Sequence, residues 1–233
     1  MGSECSTRIA IIVAGGSGNR FGAKKQFIEV NGKPLYCYSI EAFKGIADRI
    51  ILVVPEEDID TVEPYGAELA AGGSERYESV YNALRLCAND GKKSCQGGAQ
   101  KCSAEKTLIA IHDAARPAVT REIIEQCYRD AEEYGAAVPV VSVTDTIRTV
   151  EGELIDRSTL RAMQTPQTFK GELILPAYEK LMALPQEARK AMHITDDVQV
   201  VDVMMGVNAH FSEGSPENLK VTTSKDMPFL QLS

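Results

Sequence analysis

From Ile9 to Val13 five apolar residues follow one another without a polar break, which predicts a strand covered on both faces. The run stops at once in Gly15, Gly16 and Gly18, with Arg20, Lys24 and Lys25 just beyond. After Pro34, which suits the opening turn of a helix, Leu35, Tyr38, Ser39, Ala42, Phe43 and Ile46 recur at helical spacing. Arg49 to Val54 reads as a second strand, halted by Pro55, and Tyr77, Val80, Leu84 and Cys87 form another helical stripe. Thr107 to Ile111 is strand-like, Thr120 to Tyr134 is helical with Gly135 as its stop, and Ala136 to Val143 is strand-like again. This alternation of strand and helix predicts an α/β protein: three layers around a mainly parallel sheet.

Two segments leave that rhythm. Asn89 to Lys106 is polar and glycine-containing and reads as a surface excursion. Thr144 to Arg157 reads as two short polar strands around a turn at Glu151-Gly152-Glu153. It holds too little apolar material to stand as a free hairpin, so it lies on the surface or packs against a partner subunit. Residues 1–233 otherwise read as one domain.

Composition narrows the function. A net charge of −8 opposes a general nucleic-acid coat, which needs a basic face to displace counterions. A local cluster of Arg and Lys can still attract a small anion. No stretch approaches the ~18 apolar residues of a membrane span, and MGSECSTR lacks the pattern of a secretory leader. The six cysteines form no C-x-x-C pair, which argues against zinc. Cys37, Cys87 and Cys127 fall on helix-like apolar positions and read as buried thiols. The expectation is a reduced, cytoplasmic protein with no nucleic-acid or membrane partner.

The glycine turn carries the first chemistry. Glycines let the backbone approach a ligand with its N–H groups turned outward, and neighbouring cations can hold polyphosphate oxygens. A strand end opening into such a turn is where α/β proteins bind nucleotides. The dinucleotide fingerprint fails because Phe21 stands where its last glycine belongs, and no Gly-Lys-Ser/Thr triplet of a Walker loop follows. An ordinary turn with solvated basic residues is the plain alternative.

Five ordered segments make the reading specific: AGGSGNR with KQF, GGSERYESV, HDAARP, QTPQTF, and ITDD followed by ENLKVTT. Together they resemble the 2-C-methyl-D-erythritol 4-phosphate cytidylyltransferase family of the non-mevalonate isoprenoid pathway, from Ile9 to about Asp226. The resemblance implies a Rossmann-like nucleotidyltransferase fold in which residues 144–161 form a protruding β-hairpin arm. It implies a homodimer whose arm completes the neighbour's site. It also implies a reaction in which CTP and a polyol phosphate are joined with release of pyrophosphate. In-line attack on the α-phosphorus asks the protein for position and positive charge rather than a nucleophile. No motif needs His112, His193 or His210 as a base.

On the positions that match, the resemblance makes Arg20, Lys25, Arg157 and Lys220 the catalytic group. CTP falls to Ala14, Gly15, Gly16, Ser17 and Gly18, with the backbone N–H groups of Ala14 to Gly18 facing the phosphates. Gly73 and Ser79 belong to the cytosine loop, and Asp113, Ala114 and Arg116 complete the nucleotide site. The acceptor phosphate falls to Thr146, Arg157, Thr195 and Lys220. Ser79 also suits a cap-like helix position, and Thr195-Asp196 suits a helix N-cap before Val198, Val201 and Met205. Mg²⁺ or another divalent cation is implied. Asp113 is its candidate ligand or, equally, a partner of Arg116 that fixes the loop, so the metal's protein ligands stay open.

Two departures stand out. Lys24 replaces the family's usual proline and the interval from Arg20 is short, which leaves Lys24 and Lys25 as alternatives for the phosphates. Ser74 stands where many members carry an acid. A ribitol-5-phosphate cytidylyltransferase is the nearest rival reading, and a catalytically inert nucleotide-binding regulator the more remote one.

Overall fold

The computed structural model describes residues 6–15, 28–89 and 104–230. Its first strand, β1 (Thr7–Val13), pairs in parallel with β4 (Arg49–Val54) on one side and β6 (Thr107–Asp113) on the other. All three are rich in apolar residues, and each serves two cores. Ile9 and Ile11 of β1, Ile51 and Val53 of β4, and Ile109 and Ile111 of β6 face one buried cluster. Ala10 and Ile12, Leu52 and Val54, and Leu108 and Ala110 face the other. Helices cover both faces. α2 (Arg76–Asn89), α4 (Gly171–Ala183) and α6 (Asp197–Met205) lie on the first, with the short α5 (Gln186–Ala191) between α4 and α6 in the chain, and α1 (Leu35–Phe43) and α3 (Arg121–Tyr134) lie on the second. That is the three-layer α/β sandwich the alternation predicts.

Boundaries follow local chemistry. Thr120 caps α3, its hydroxyl oxygen accepting from the Ile123 N–H, and Gly135 ends it at a φ of 91°, where a side chain would be strained. Pro34 lies just outside α1 in an extended conformation and pairs with Glu29 in a two-residue hairpin of β2 (Glu29–Val30) and β3 (Lys33–Pro34). The helix ends at Phe43, short of Ile46, which is still buried beyond it.

Among the described residues the sheet has eight strands and is mixed. β5 (Glu68–Ala71) extends the parallel edge beside β4. β7 (Ala136–Ser142), β10 (Arg161–Met163), β11 (Gln167–Lys170) and β12 (His210–Glu213) build the other half. Ala137 pairs with both Thr168 and His210, and Val140 with both Met163 and Glu213. A strand residue has one neighbour per side, so β10 and β11 lie end to end along one side of β7 and β12 lies along the other. Both run antiparallel to β7. The interruption between them, Gln164 to Pro166, aims buried Thr165 toward the end of β6 and buried Gln164 toward Ser215 and Asn218.

Within residues 144–161, β8 (Ile147–Arg148) and β9 (Leu154–Ile155) form a hairpin of two residues in each strand, a single 3-10 turn follows at Arg157–Thr159, and Arg161 already belongs to β10. Val150 is 99% exposed and Leu154 64%. Only Asn89 and residues 104–106 of the polar stretch at 89–106 fall within the described residues. Cys37 and Cys127 are buried thiols as expected, and Cys87 is half-buried. Among the described residues no helix is long and apolar enough to cross a membrane.

Candidate active site

The parallel strands β1, β4, β5 and β6 all end on one edge, and the loops that follow them meet there. At the first junction Ala14 is buried and its N–H donates to the Val53 carbonyl at 2.8 Å. This corrects the expectation for Ala14: its donor extends the sheet and is not free for a phosphate. Gly15 is described, whereas Gly16, Ser17, Gly18, Arg20 and Lys25 lie outside the described residues, as does Lys24.

The loop after β5 is built by its own side chains. Gly72 N–H donates to the Val54 carbonyl at 2.7 Å. A Cβ on Gly73 would come within 2.4 Å of the Glu78 Cβ, so only glycine fits there. Glu78 Oε2 accepts from the N–H groups of Ser74 (3.0 Å) and Glu75 (3.3 Å) and from the Ser74 hydroxyl (2.6 Å). This reach back over the start of α2 is half of a capping box, and it gives Ser74 a structural task. Ser79 is buried; its Oγ accepts from Gly73 N–H at 2.9 Å and donates to the Glu75 carbonyl at 3.2 Å. The same Oγ lies 3.5 Å from where a Cβ of Gly15 would stand. Ser79 thus holds the loop after β5 together and lies beside Gly15.

β6 delivers His112, Asp113 and Ala114 to the same edge. The Asp113 carboxylate meets Lys220 Nζ at 2.7 Å through Oδ2 and Arg76 Nη2 at 3.4 Å through Oδ1. Burial alone would raise its pKa, but Arg76 and Lys220 outweigh that and hold it well below the carboxylate range. The alternative pairing of Asp113 with Arg116 is not the one formed. Arg116 donates instead to the Asn218 carbonyl at 2.7 Å and the Met163 carbonyl at 3.5 Å. Ala114 N–H donates to the Val13 carbonyl at 3.0 Å, so Ala114 too is held by backbone.

Beneath Asp113 runs a chain of hydrogen bonds with one self-consistent direction. Asp113 N–H donates to Thr165 Oγ1 at 3.1 Å, the Thr165 hydroxyl donates to His112 Nδ1 at 2.9 Å, and His112 Nε2–H donates to the Arg116 carbonyl at 3.1 Å. The imidazole is neutral, because burial pushes its pKa down to about 4. His112 braces the turn from Asp113 to Arg116 from below.

A cavity of about 190 Å³ opens above these groups, lined in part by Arg76, Asp113, Arg116, Thr195, Asp196 and Lys220. Asp196 caps α6, Oδ1 accepting from Gln199 N–H at 2.8 Å. Thr195 donates through its N–H and hydroxyl to Gln199 Oε1. Of the acceptor group, Thr195 and Lys220 are therefore brought together. Thr146 and Arg157 are exposed in the hairpin, Arg157 donating to the Thr144 carbonyl, and the described residues that line the cavity do not include them.

Several groups escape sequence reasoning. Arg76 grips Asp197 with both guanidinium nitrogens, at 2.9 and 2.7 Å. Thr165, Gln167 and Tyr178 support that region from the sheet and from α4. Arg76, Thr165, Gln167 and Asp197 all stand inside the five motif segments. The motifs flag them, but nothing local announces a pair 121 residues apart.

A mixed sheet with helices on both faces, carrying Arg76, Arg116 and Lys220 at the carboxyl ends of its parallel strands, is the arrangement of an α/β nucleotidyltransferase. A profile of the 2-C-methyl-D-erythritol 4-phosphate cytidylyltransferase family matches residues 8–232. The enzyme of that name from Clostridium perfringens is 38% identical, over 94% of this chain and 95% of its own. The one from Bacteroides thetaiotaomicron is 37% identical, over 93% and 94%. The crystal structure of the Thermus thermophilus enzyme of that name superposes with a TM-score of 0.72, at 27% identity over 95% of this chain and 96% of that one. The chain belongs to the 2-C-methyl-D-erythritol 4-phosphate cytidylyltransferase family.

Proposed function

We propose that this chain transfers the cytidylyl group of CTP to 2-C-methyl-D-erythritol 4-phosphate, giving 4-diphosphocytidyl-2-C-methyl-D-erythritol and pyrophosphate. An acceptor phosphate oxygen attacks the α-phosphorus in line; one P–O bond forms, the α–β bridging bond breaks, and pyrophosphate leaves. The observation that carries the reading is the convergence of Arg76, Asp113, Arg116 and Lys220 at the strand ends, in a chain of this family. Charge developing on phosphate oxygens is what such a cluster is suited to stabilise.

Lys220, fixed by Asp113 beside Thr195, is the acceptor-phosphate cation. Arg20 and Lys25 act on the triphosphate. Arg157 and Thr146 serve the neighbouring subunit of a homodimer, reached by the arm at 144–161. The exposure of Val150 and Leu154 at that hairpin supports this, since apolar groups there gain from a partner's cover.

The donor set bears on the metal. Among the described residues no three His, Cys, Asp or Glu side chains come together, so they form no all-protein cage. Asp113, held ionised at the phosphate end of β6, fits a hard cation that takes one carboxylate and completes its shell with waters and phosphates. Mg²⁺ held in that way would neutralise charge on the triphosphate. The protein is read as cytoplasmic.

The test is pyrophosphate release from CTP with Mg²⁺, comparing methylerythritol 4-phosphate with ribitol 5-phosphate. The expected result is a preference of about tenfold or more in kcat/KM for the first. Preference for ribitol 5-phosphate, or CTP binding without turnover of either, would overturn the proposal.

A further inference from the structure

Arg76 is the most heavily committed cation of the cluster at the strand ends: both of its terminal nitrogens are held by carboxylates. Its side chain starts the helix α2, directly after the loop held by Gly73, Ser74 and Glu78. It crosses to the first residue of α6, where both nitrogens meet the Asp197 carboxylate, whose side chain is fully buried. Asp197 is fixed in turn from two sides. The hydroxyl of buried Tyr178 donates to its Oδ1 at 2.5 Å. The side-chain carbonyl of Gln167 accepts from the N–H groups of Asp197 and Val198, at 2.8 and 3.0 Å. With two oxygens of Asp197 set against two guanidinium nitrogens, the fork has one permitted orientation. That orientation leaves Nη2 also facing Asp113 Oδ1 at 3.4 Å.

A guanidinium gripped at one end and aimed at the other is a spacer. Asp113 has two oxygens and two cationic partners, and each partner comes from a distant segment: Arg76 from α2, Lys220 from the irregular stretch after β12. If Arg76 withdraws, the Asp113 carboxylate is free to rotate about its last torsion, and the ammonium that follows it moves as well. A buried pair of this kind is weak support for stability, whereas fixing one geometry is a use for which such pairs are well suited.

We propose that Arg76 is a positioning residue: held by Asp197 and Tyr178, it sets the orientation of Asp113 and thereby places Lys220 for the acceptor phosphate. This rests on the function proposed above. It adds a connection between the nucleotide-side helix α2, the N-terminus of α6 and the acceptor-side lysine.

Steady-state kinetics and calorimetric CTP binding on Arg76→Lys, Tyr178→Phe and the double variant test it. Arg76→Lys keeps the charge but loses the fork. Tyr178→Phe keeps the ring and both charges and removes only the donor to Asp197, so it folds even if changes at Arg76 do not. Wild-type turnover of methylerythritol 4-phosphate is measured first; without it the functional reading fails, whatever the variants do. With it, we expect Arg76→Lys to lower kcat/KM for the acceptor by about tenfold, with CTP affinity changed less than about threefold. Tyr178→Phe should give a smaller loss of the same kind. Since both act through one guanidinium, the double variant should be no worse than Arg76→Lys alone. Three results would overturn the assignment: both folded variants within about twofold of wild type, losses that multiply in the double variant, or a fall in activity matched by the fall in CTP binding.

Discussion

Thr165→Val removes one hydroxyl and keeps the shape of the side chain, which makes it a sharp probe of the brace under Asp113. Thr165 is buried, and its oxygen both accepts from Asp113 N–H and donates to His112 Nδ1. Valine leaves two polar groups, the Asp113 N–H and His112 Nδ1, without their protein partner. Each orphaned group costs roughly 1–3 kcal/mol, so the loss should be at least about 2 kcal/mol out of a typical total of ~5–15 kcal/mol. Urea unfolding at pH 7.5, with the m-value fitted, reads this as a lower midpoint at unchanged slope. Thr165→Ser, which keeps the oxygen, should recover most of the loss. The turnover number should fall in Thr165→Val as well, because Asp113 is displaced with its own N–H. A stability change below about 0.5 kcal/mol would refute the reasoning, since it would mean the hydroxyl satisfies neither neighbour.

The same brace sets a pH dependence. His112 is neutral in the fold with a pKa of about 4, against about 6.5 in the unfolded chain. Between those values the unfolded state binds more protons, so stability is full above about pH 6.5 and is lost as pH falls toward 4, on the order of 3 kcal/mol in all. Asp113 stays ionised in the fold, and its own contribution is lost only as pH approaches the ordinary carboxylate value of about 3.9, at the acid end of that window. A His112→Asn variant whose stability falls as steeply between pH 6.5 and 4 would contradict it. Gly73→Ala should weaken CTP binding and cost roughly 1–3 kcal/mol, because its Cβ meets Glu78 at 2.4 Å; an unchanged CTP affinity would show that the loop yields. Lys220→Ala should raise the acceptor KM and lower kcat while sparing CTP binding, and loss of CTP affinity instead would reassign the lysine. Leu154→Asp, at an exposed apolar position of the hairpin, should shift a species of twice 25.3 kDa toward 25.3 kDa in sedimentation; a wild-type protein that sediments as a monomer would remove the shared-site arrangement.

Local chemistry carried the sequence a long way. Arg49 to Val54 is a strand halted by Pro55, and Thr120 and Gly135 bound α3, as their side chains dictate. The buried strands are legible because both faces are apolar, and the hairpin because it is not. β10, β11 and β12 are not legible. Each has four residues or fewer, mixed in polarity, and their pairing depends on the sides that β6 and β7 offer. Helix α4, with Pro176 inside it, likewise escapes a reading that takes proline as a boundary.

The site divides in the same way. Motif order alone marks the segments that hold Ser79, Asp113, Arg116, Thr195 and Lys220, because a phosphate site needs glycines, cations and a carboxylate whatever surrounds them. What each side chain faces is settled by folding. Lys220 lies 107 residues from Asp113 and Arg76 lies 121 from Asp197. An ion pair over such a span follows from which strands neighbour one another, not from spacing along the chain. Folding also withdraws candidates that composition cannot: Ala14 and Ala114 stand at the right strand ends, yet their N–H groups are taken by Val53 and Val13. Residue types and their local order were written in the chain; partners, and which donors stayed free, were decided by the sheet.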